Sequence, residues 1–178
     1  MKKKVHATNI FIKKCIAQAL MKLLKNKELS AISITELTQV AGVSRMAYYR
    51  NFSSKEEIIS SYCSIILQQY DEEEIEEASK GSYADMNHML HYFSFLIEHQ
   101  DFLDIITTHA CGHLFSDAMT EYIVNKWQAN KNDRMEYYRL IAFSGSLYRL
   151  YLGWAENHFQ ESPEEMAQIF SALQPKTV

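Results

Sequence analysis

Apolar side chains recur at intervals of three and four residues along most of this chain of 178 residues. That interval matches one face of an α-helix, so each such stretch predicts a helix that buries one side. The longer helices are predicted at about residues 8–25, 54–78, 83–98, 101–111, 114–130, 134–159 and 163–173. Together with two short helices between residues 33 and 52, the pattern predicts about nine helices, no strand and an all-α fold.

The two short helices are predicted from the residues at their ends. Ser33 can cap the first helix, and Glu36, three residues later, completes a capping box. Gly42 ends that helix, because glycine adopts the left-handed conformation that a helix end commonly needs. Ser44 caps the second helix, which is predicted at residues 45–51.

The second short helix divides into an inward and an outward side. Tyr48 and Phe52 are four residues apart and share the inward face, which leaves basic and aromatic side chains outward. A short helix, a glycine turn and a second helix of this kind form a helix-turn-helix, whose second helix enters the DNA major groove. The predicted DNA-binding residues are Ser33, Thr35, Ser44, Arg45, Met46, Ala47, Tyr49, Arg50, Asn51 and Lys55.

Three of these residues are given separate roles. Arg45 is expected to read base edges, because it stands at the start of the second helix, where side chains reach the groove. Tyr49 and Lys55 are expected to bind phosphate. Lys55 would do so from the first turn of the next helix, beside backbone N–H groups that favour anions.

The same stretch resembles a known family. Residues 41–57, which read AGVSRMAYYRNFSSKEE, are similar to the N-terminal domain of TetR-type transcriptional regulators. The resemblance is close over residues 32–59. Beyond them it weakens to the order of the helices and a short sequence segment near the C-terminus. Thr38 departs from the Ala that is usual in the family, and Thr35 departs from a longer polar or basic residue. The resemblance implies an N-terminal three-helix bundle with the helix-turn-helix, followed by a helical ligand-binding and dimerisation domain.

The charge of the chain changes sign along its length. Residues 1–55 contain eleven Lys and Arg against two acidic residues, whereas the rest contains seven basic and twenty acidic residues. A basic segment suits a polyanion, because neutralised phosphates supply much of the affinity for DNA. We therefore expect a DNA-binding domain at residues 1–55 and a ligand-binding and dimerisation domain at residues 56–178.

Composition narrows the class of protein further. The opening lysines have the charge of a signal peptide, but no continuous apolar segment follows them, and no stretch approaches the ~18 apolar residues of a membrane span. Cys15, Cys63 and Cys111 are odd in number and lie in helical patterns, as buried thiols of a reducing compartment do. The sequence predicts a soluble cytoplasmic protein without a membrane partner, associated with the nucleoid when it is bound to DNA.

Motifs of catalysis are missing from the sequence. It has no G-x-S-x-G, no glycine-rich phosphate loop and no H-E-x-x-H. His109 and His113 could share a helix face, but Cys111 would point away, so ordinary core or pocket histidines are a better interpretation than a metal site. We expect no enzymatic activity, no cofactor and no metal.

The C-terminal two-thirds is rich in aromatic and methionine side chains. Most of these fit an ordinary helical core, but some of them with a few polar groups could line a pocket for a small apolar or aromatic effector. The family resemblance implies such a pocket between the central helices. The predicted pocket residues are His88, Tyr92, Phe95, His109, Phe115, Met119, Tyr122, Tyr138 and Arg139.

Two C-terminal helices are candidates for a dimer interface. Residues 142–153, AFSGSLYRLYLG, mix small and large apolar residues, as close helix approach requires. With residues 163–173 they resemble the TetR-type four-helix dimer interface, although packing within one chain alone is the other interpretation. The predicted interface residues are Gly145, Tyr148, Leu152, Met166 and Phe170.

These expectations combine into one function and two alternatives. The sequence predicts a homodimeric, ligand-responsive transcriptional regulator, in the first instance a repressor, on a pseudo-palindromic double-stranded DNA operator. An activator, or a regulator controlled by a protein partner, is possible on the same scaffold. An adaptor built of helices for protein interaction is the alternative of a different class. The operator and the effector are not specified by the sequence.

Overall fold

The computed structural model describes residues 2–77 and 82–173. Within these residues it contains nine α-helices and no strand, which confirms the predicted all-α fold. One short 3₁₀ turn, Leu29–Ala31, was not predicted. The helices are α1 Lys2–Leu24, α2 Ile34–Ala41, α3 Arg45–Asn51, α4 Lys55–Glu77, α5 Met86–Glu98, α6 Gln100–Thr108, α7 Gly112–Trp127, α8 Arg134–Glu156 and α9 Pro163–Leu173.

The described residues form two compact units. Unit 1 contains the chain up to Ile66 together with Phe102–Phe115, and unit 2 contains Leu67–Asp101 and the chain from Ser116 onward. Helix α4 contributes residues to both units. The functional division expected after residue 55 stays a prediction.

Helix ends follow the capping signals of the sequence at most places. The Ser33 and Ser44 hydroxyls accept hydrogen bonds from the backbone N–H groups three residues later, each at 3.1 Å. Ser162 and Glu165 form a reciprocal capping box at the start of α9, with N–O distances of 2.8 and 3.2 Å. These three helices therefore begin where the sequence predicts.

Other boundaries differ from the prediction for local reasons. Helix α5 begins at Met86 and not near residue 83, because the Asp85 carboxylate caps it by accepting from the His88 N–H at 2.9 Å. Helix α8 ends at Glu156, since His158 and Phe159 adopt positive φ angles of 57° and 51°. Residues 79–81 of the predicted loop lie outside the described part of the chain.

Each unit has its own apolar core. In unit 1, Ile16 and Leu20 of α1 and Leu37 of α2 are completely buried. In unit 2, α5 packs against α9, and the Phe93 and Phe170 rings meet edge to face with centroids 6.4 Å apart. Each core holds the surface residues described below in fixed positions.

Among the described helices, none is long and apolar enough to cross a membrane.

Candidate functional site

Helices α2 and α3 form a helix-turn-helix in unit 1. Helix α2 ends at Gly42, whose φ of +66° lies in the left-handed region, and the Val43 N–H donates to the Thr38 carbonyl at 3.0 Å. Ser44 then caps α3 at once. The turn between the helices is therefore only three residues long, and it fixes the direction in which α3 leaves.

The inward face of α3 is fixed by aromatic packing. Tyr48 is 2% exposed and Phe52 is 3% exposed, as the four-residue spacing predicted, and their ring centroids lie 6.1 Å apart. The Lys13 ammonium of α1 lies 5.6 Å from the centroid of the Phe52 ring. Helix α3 is thus attached to α1 through its inward face and cannot rotate without losing this packing.

The outward face of α3 carries most of the predicted DNA-binding residues. Met46 is 62% exposed and Tyr49 is 55% exposed. Within the described residues, neither Arg45 nor Arg50 forms an ion pair, so both guanidinium groups face solvent uncompensated. Ser33, Thr35 and Ser44 are also exposed, whereas Ala47, Asn51 and Lys55 are half-buried.

Asn51 and Thr38 use their polar groups inside their own helices. The Asn51 amide donates to the Ala47 carbonyl at 2.7 Å. Thr38 is 3% exposed, and its hydroxyl donates to the Ile34 carbonyl at 2.8 Å. A threonine is therefore accommodated here without an unpaired buried hydroxyl, which explains how α2 tolerates this departure from alanine.

Lys55 has an internal role that its position in the sequence does not indicate. Its ammonium donates to the carbonyl of Leu29, to that of Ile32 at 2.9 Å and to that of Ser30 at 3.4 Å. These carbonyls belong to the 3₁₀ turn and the residue after it. The phosphate contact predicted for Lys55 stays a prediction, and it would compete with these three acceptors.

A cavity lies within unit 2, enclosed by α4, α5, α7, α8 and Tyr83 before α5. The space between its atoms amounts to about 430 Å³, including the part that is open to solvent. Five of the nine residues that the sequence indicated line it, namely His88, Tyr92, Phe95, Met119 and Tyr122.

The other four predicted pocket residues lie elsewhere. His109 belongs to unit 1, where its Nε2 lies 2.8 Å from the Leu24 carbonyl oxygen of α1. Phe115 is fully buried in unit 1. Tyr138 is 54% exposed and Arg139 is also exposed, because both are on the outer side of α8. Helical spacing identified the helices that form the cavity, but not which face of α8 is turned toward it.

Eight lining residues were not singled out from the sequence as pocket residues. Four of them are aromatic, which could have indicated them, and the other four are ordinary apolar side chains that no sequence signal marks. They are Leu67, Tyr70, Tyr83, Met89, Ile123, Trp127, Phe143 and Leu147.

Two polar residues of the cavity wall, Tyr122 and His88, are hydrogen-bonded to acidic side chains. The Tyr122 hydroxyl donates to the Asp71 carboxylate at 2.9 Å, and the Lys126 ammonium donates to the same oxygen at 2.6 Å. Burial acts to raise the pKa of Asp71, but these hydrogen bonds and the positive charge outweigh it, so the pKa is lowered. At neutral pH the carboxylate is therefore ionised and its charge is matched.

His88 and Tyr92 also place polar groups on this wall. The His88 Nδ1 lies 2.8 Å from a carboxylate oxygen of Asp85. The pKa of Asp85 is lowered, because its hydrogen bonds with His88 outweigh the effect of burial. The Tyr92 hydroxyl is buried and has no hydrogen-bond partner among the described residues. Burial raises the pKa of Tyr92 well above its usual value, so this hydroxyl stays protonated.

The candidate dimer surface divides between the two sides of α8 and α9. Met166 and Phe170 are buried inside the chain. The Phe170 ring packs against the Phe143 ring, with 5.5 Å between the ring centroids. Gly145 is exposed with open space beside it, while Tyr148 and Leu152 are half-buried. The outer surface of these helices, called the α8–α9 face below, consists of Met135, Tyr138, Ala142, Gly145, Arg149, Gly153, Ile169 and Leu173.

The described residues offer no group of three or more His, Cys, Asp or Glu side chains that could hold a metal ion. His113, which the sequence offered as a possible ligand, has its Nδ1 3.3 Å from the Ala110 carbonyl oxygen. Burial raises the pKa of the Cys63 thiol to about 12, so this thiol stays protonated and unreactive at neutral pH.

Comparison with known proteins finds similar structures but no similar sequence. No model of a protein family matches the chain, and no curated protein matches it in sequence. Solved structures, in contrast, are similar over about 90% of its length.

Three solved structures illustrate this similarity. A Clostridium perfringens protein described as a regulator of fatty acid metabolism has a TM-score of 0.58 at 18% identity, over 88% of this chain and 94% of its own. The dihydroxyacetone kinase operon activator DhaS has a TM-score of 0.57 at 19% identity, over 92% and 94%. The TetR family repressor AlkX of Dietzia sp., implicated in the biodegradation of n-alkanes, has a TM-score of 0.50 at 14% identity, over 90% and 91%.

Proposed function

We propose that this chain, which has the fold of TetR-type transcriptional regulators, is a homodimeric, ligand-responsive DNA-binding regulator of the cytoplasm. In this proposal α3 enters the major groove, the cavity of unit 2 binds a small molecule, and the α8–α9 face joins two copies of the chain. Each part has its own support.

The outward face of α3 carries the proposal of DNA binding. Arg45 and Arg50 have no acidic partner within the described residues, and Met46 and Tyr49 are exposed beside them. Exposed apolar and cationic groups on a short helix have no evident structural use. In a major groove, by contrast, arginine can read guanine, and apolar groups can contact the thymine methyl group.

The half-buried residues of the predicted surface have a smaller part in the proposal. Ala47 allows α3 to approach the groove closely, and the Asn51 amide is already bonded within the helix.

Tyr49 and Arg50 are the proposed phosphate contacts at the edges of α3, with Ser33, Thr35 and Ser44 at the two helix starts. Lys55 would join them only if its ammonium left the carbonyls of the 3₁₀ turn.

Dimerisation is proposed from the α8–α9 face and from the geometry of DNA. One recognition helix contacts few base pairs, so two DNA-binding domains on a pseudo-palindromic site are usually needed for specificity. The α8–α9 face combines exposed large residues such as Met135 and Leu173 with small ones such as Ala142 and Gly145. Such a surface allows helices of two copies to approach each other closely.

A repressor is the simplest form of this regulator. A dimer that occupies an operator blocks other proteins by its presence alone, whereas an activator needs a further contact surface. The structural relatives include both kinds, since AlkX is named a repressor and DhaS an activator. Activation is therefore the second candidate.

The test is selection of genomic DNA fragments by the purified protein at two salt concentrations. We expect a small set of fragments that share an inverted repeat, and we expect their enrichment over bulk DNA to persist at the higher salt concentration, where non-specific binding fades. A transcription assay on the enriched promoter then gives the sign of regulation. Retention of all fragments alike at both salt concentrations would contradict a sequence-specific regulator.

A further inference from the structure

We propose that the cavity of unit 2 binds a compact, uncharged aromatic molecule with an oxygen atom that accepts a hydrogen bond from the Tyr92 hydroxyl. This inference rests on the proposed function, because it names the chemical class of the ligand for the same cavity. Three observations lead to it, namely an unpaired hydroxyl, the absence of unmatched charge and the aromatic walls.

The Tyr92 hydroxyl is the group that calls for a partner. Tyr92 lines the cavity and is only 5% exposed, and no described residue accepts or donates a hydrogen bond at its hydroxyl. A buried hydroxyl without a partner is unfavourable, because it has lost water and gained nothing. Another tyrosine of the wall, Tyr122, already donates to Asp71 at 2.9 Å. A ligand oxygen beside Tyr92 would satisfy this buried hydroxyl.

The charges around the cavity favour an uncharged ligand. None of the described lining residues is Asp, Glu, Lys or Arg. The Asp85 carboxylate lies 2.8 Å from the His88 ring, so any positive charge on His88 is already balanced. The ion pair of Lys126 and Asp71 is balanced in the same way at 2.6 Å. A carboxylate or an ammonium ligand would lose its hydration here without finding an unmatched opposite charge.

The walls favour an aromatic ligand of limited size. Seven of the thirteen lining residues are Phe, Tyr or Trp. They already meet edge to face, for example Tyr83 with Phe143 at 4.7 Å and Tyr70 with Phe95 at 5.1 Å between centroids. A flat ring can join such a cluster in the same geometry. Because the space of about 430 Å³ includes the part that is open to solvent, a compact ligand is favoured over a long one.

A matched series of naphthalene probes tests the ligand class. The series is 2-acetylnaphthalene, which has a neutral oxygen acceptor, 2-ethylnaphthalene, which has none, the anion 2-naphthoate and the cation 2-naphthylmethylammonium. Their affinities for the full chain are measured by quenching of tryptophan fluorescence, because Trp127 lies in the wall. We expect 2-acetylnaphthalene to bind about tenfold more tightly than 2-ethylnaphthalene, the equivalent of one hydrogen bond, and more tightly than either ion.

Two Tyr→Phe variants in the same wall test the residue. Tyr92→Phe removes the unpaired hydroxyl and keeps the ring, so it should make the acetyl and ethyl probes bind alike. It should also leave the thermal midpoint of the ligand-free protein unchanged or raise it. Tyr122→Phe is the control, because it breaks the hydrogen bond to Asp71. It should lower the midpoint and preserve the preference for the acetyl probe.

The results that contradict the inference are distinct from those that contradict the proposed function. Tighter binding of either ion, equal binding of the acetyl and ethyl probes, no binding of any probe, or a lower midpoint for Tyr92→Phe would overturn the inference. DNA affinity is measured in parallel with and without 2-acetylnaphthalene. If the probe binds as expected and DNA affinity does not change, the inference holds and ligand-responsive regulation fails. If the chain binds operator DNA normally and no probe binds, the inference alone fails.

Discussion

Lys55 connects two parts of the chain that lie more than twenty residues apart. Its ammonium donates to the carbonyls of Leu29, Ser30 and Ile32, which end the 3₁₀ turn between α1 and α2. The Leu29 carbonyl also accepts from the Ile32 N–H at 3.4 Å, but a short turn leaves most of its carbonyls without a backbone partner. The ammonium thus holds the entry to the helix-turn-helix against the start of α4, and it compensates carbonyls that would otherwise lose their contact with water.

Replacement of Lys55 separates this internal role from a phosphate contact. We expect Lys55→Met to lower the free energy of unfolding by about 1–3 kcal/mol, because hydrogen bonds from a charged donor are lost. Lys22→Met is the control, since Lys22 is exposed on α1. The measurements are chemical denaturation and the slope of log affinity for DNA against log salt. Unchanged stability together with a slope shallower by about 1 would show instead that Lys55 mainly binds phosphate.

At the residue scale, the sequence predicts which face of a helix is buried better than it predicts the hydrogen-bond partners of a side chain. The spacing of Tyr48 and Phe52 identified the inward side of α3, because two residues four apart must share a helix face. The acceptors of Lys55 and the unpaired hydroxyl of Tyr92 could not be found in this way. Both depend on segments that are distant in the sequence and that meet only in the folded chain.

At the scale of elements, the turn between α2 and α3 depends on one backbone conformation. Gly42 has a φ of +66°, and a Cβ added there would meet no atom within 4 Å. The cost of a side chain at this position is therefore a cost of backbone conformation and not of space. It is about 1–2 kcal/mol for a residue with a Cβ.

Two substitutions of Gly42 test this requirement. Gly42→Ala should lower the free energy of unfolding by about 1–2 kcal/mol, and it should weaken binding to DNA because α3 would leave the turn at another angle. Gly42→Asn is the matched control, because asparagine adopts the left-handed conformation more readily. It should cost clearly less than Gly42→Ala in denaturation experiments. Equal costs for the two variants would mean that the turn tolerates another conformation.

The ends of the elements were predictable where a local signal decides them. Ser33, Ser44 and Ser162 begin helices as predicted, since a serine hydroxyl is the partner that the first N–H groups lack. The end of α8 was predicted at residue 159, but the chain turns at His158 with a φ of 57°. Asn157 is the C-cap of α8, and asparagine commonly ends helices, so a local signal was present that the apolar spacing alone did not reveal. The Trp154 and Phe159 rings pack 5.2 Å apart across this turn.

At the scale of the whole molecule, the proposed dimer depends on which faces of α8 and α9 are left open. Met166 and Phe170 were predicted as interface residues, but they pack inside the same chain. An apolar helical pattern shows that a face is buried, and it cannot tell whether its own chain or a second copy covers it. The prediction of dimerisation therefore moves to the exposed α8–α9 face.

A charged substitution on this face tests dimerisation. We expect Gly145→Arg to convert the dimer into a monomer, because a bulky cation would stand where two helices approach closely. The monomer should remain folded, since space is open beside Gly145. The control is Gln69→Arg on the exposed side of α4. Sedimentation analysis gives the mass of each variant, and a monomeric wild-type chain or a dimeric Gly145→Arg would contradict the assignment.

Ligand and DNA are expected to influence each other through the helix that both units share. Helix α4 has Lys55 at its start in unit 1 and Tyr70 in the cavity wall of unit 2. If an inducing ligand weakens binding to the operator 100-fold, a coupling of about 2.7 kcal/mol, the operator must weaken the ligand by the same factor. Calorimetry of 2-acetylnaphthalene with and without saturating operator measures this factor. Equal affinities in the two titrations would rule out an inducer at this site.

The most direct test of the central claim is a titration of two DNA duplexes with two variants of the chain. One duplex carries the inverted repeat enriched from genomic DNA, and the other has the same composition in scrambled order. Wild-type protein and Lys131→Ala, which alters an exposed lysine of unit 2, should prefer the repeat. Arg45→Ala should lose about 1–3 kcal/mol on the repeat and little on the scrambled duplex. Equal losses on both duplexes, or a wild-type chain without preference, would contradict sequence reading by α3.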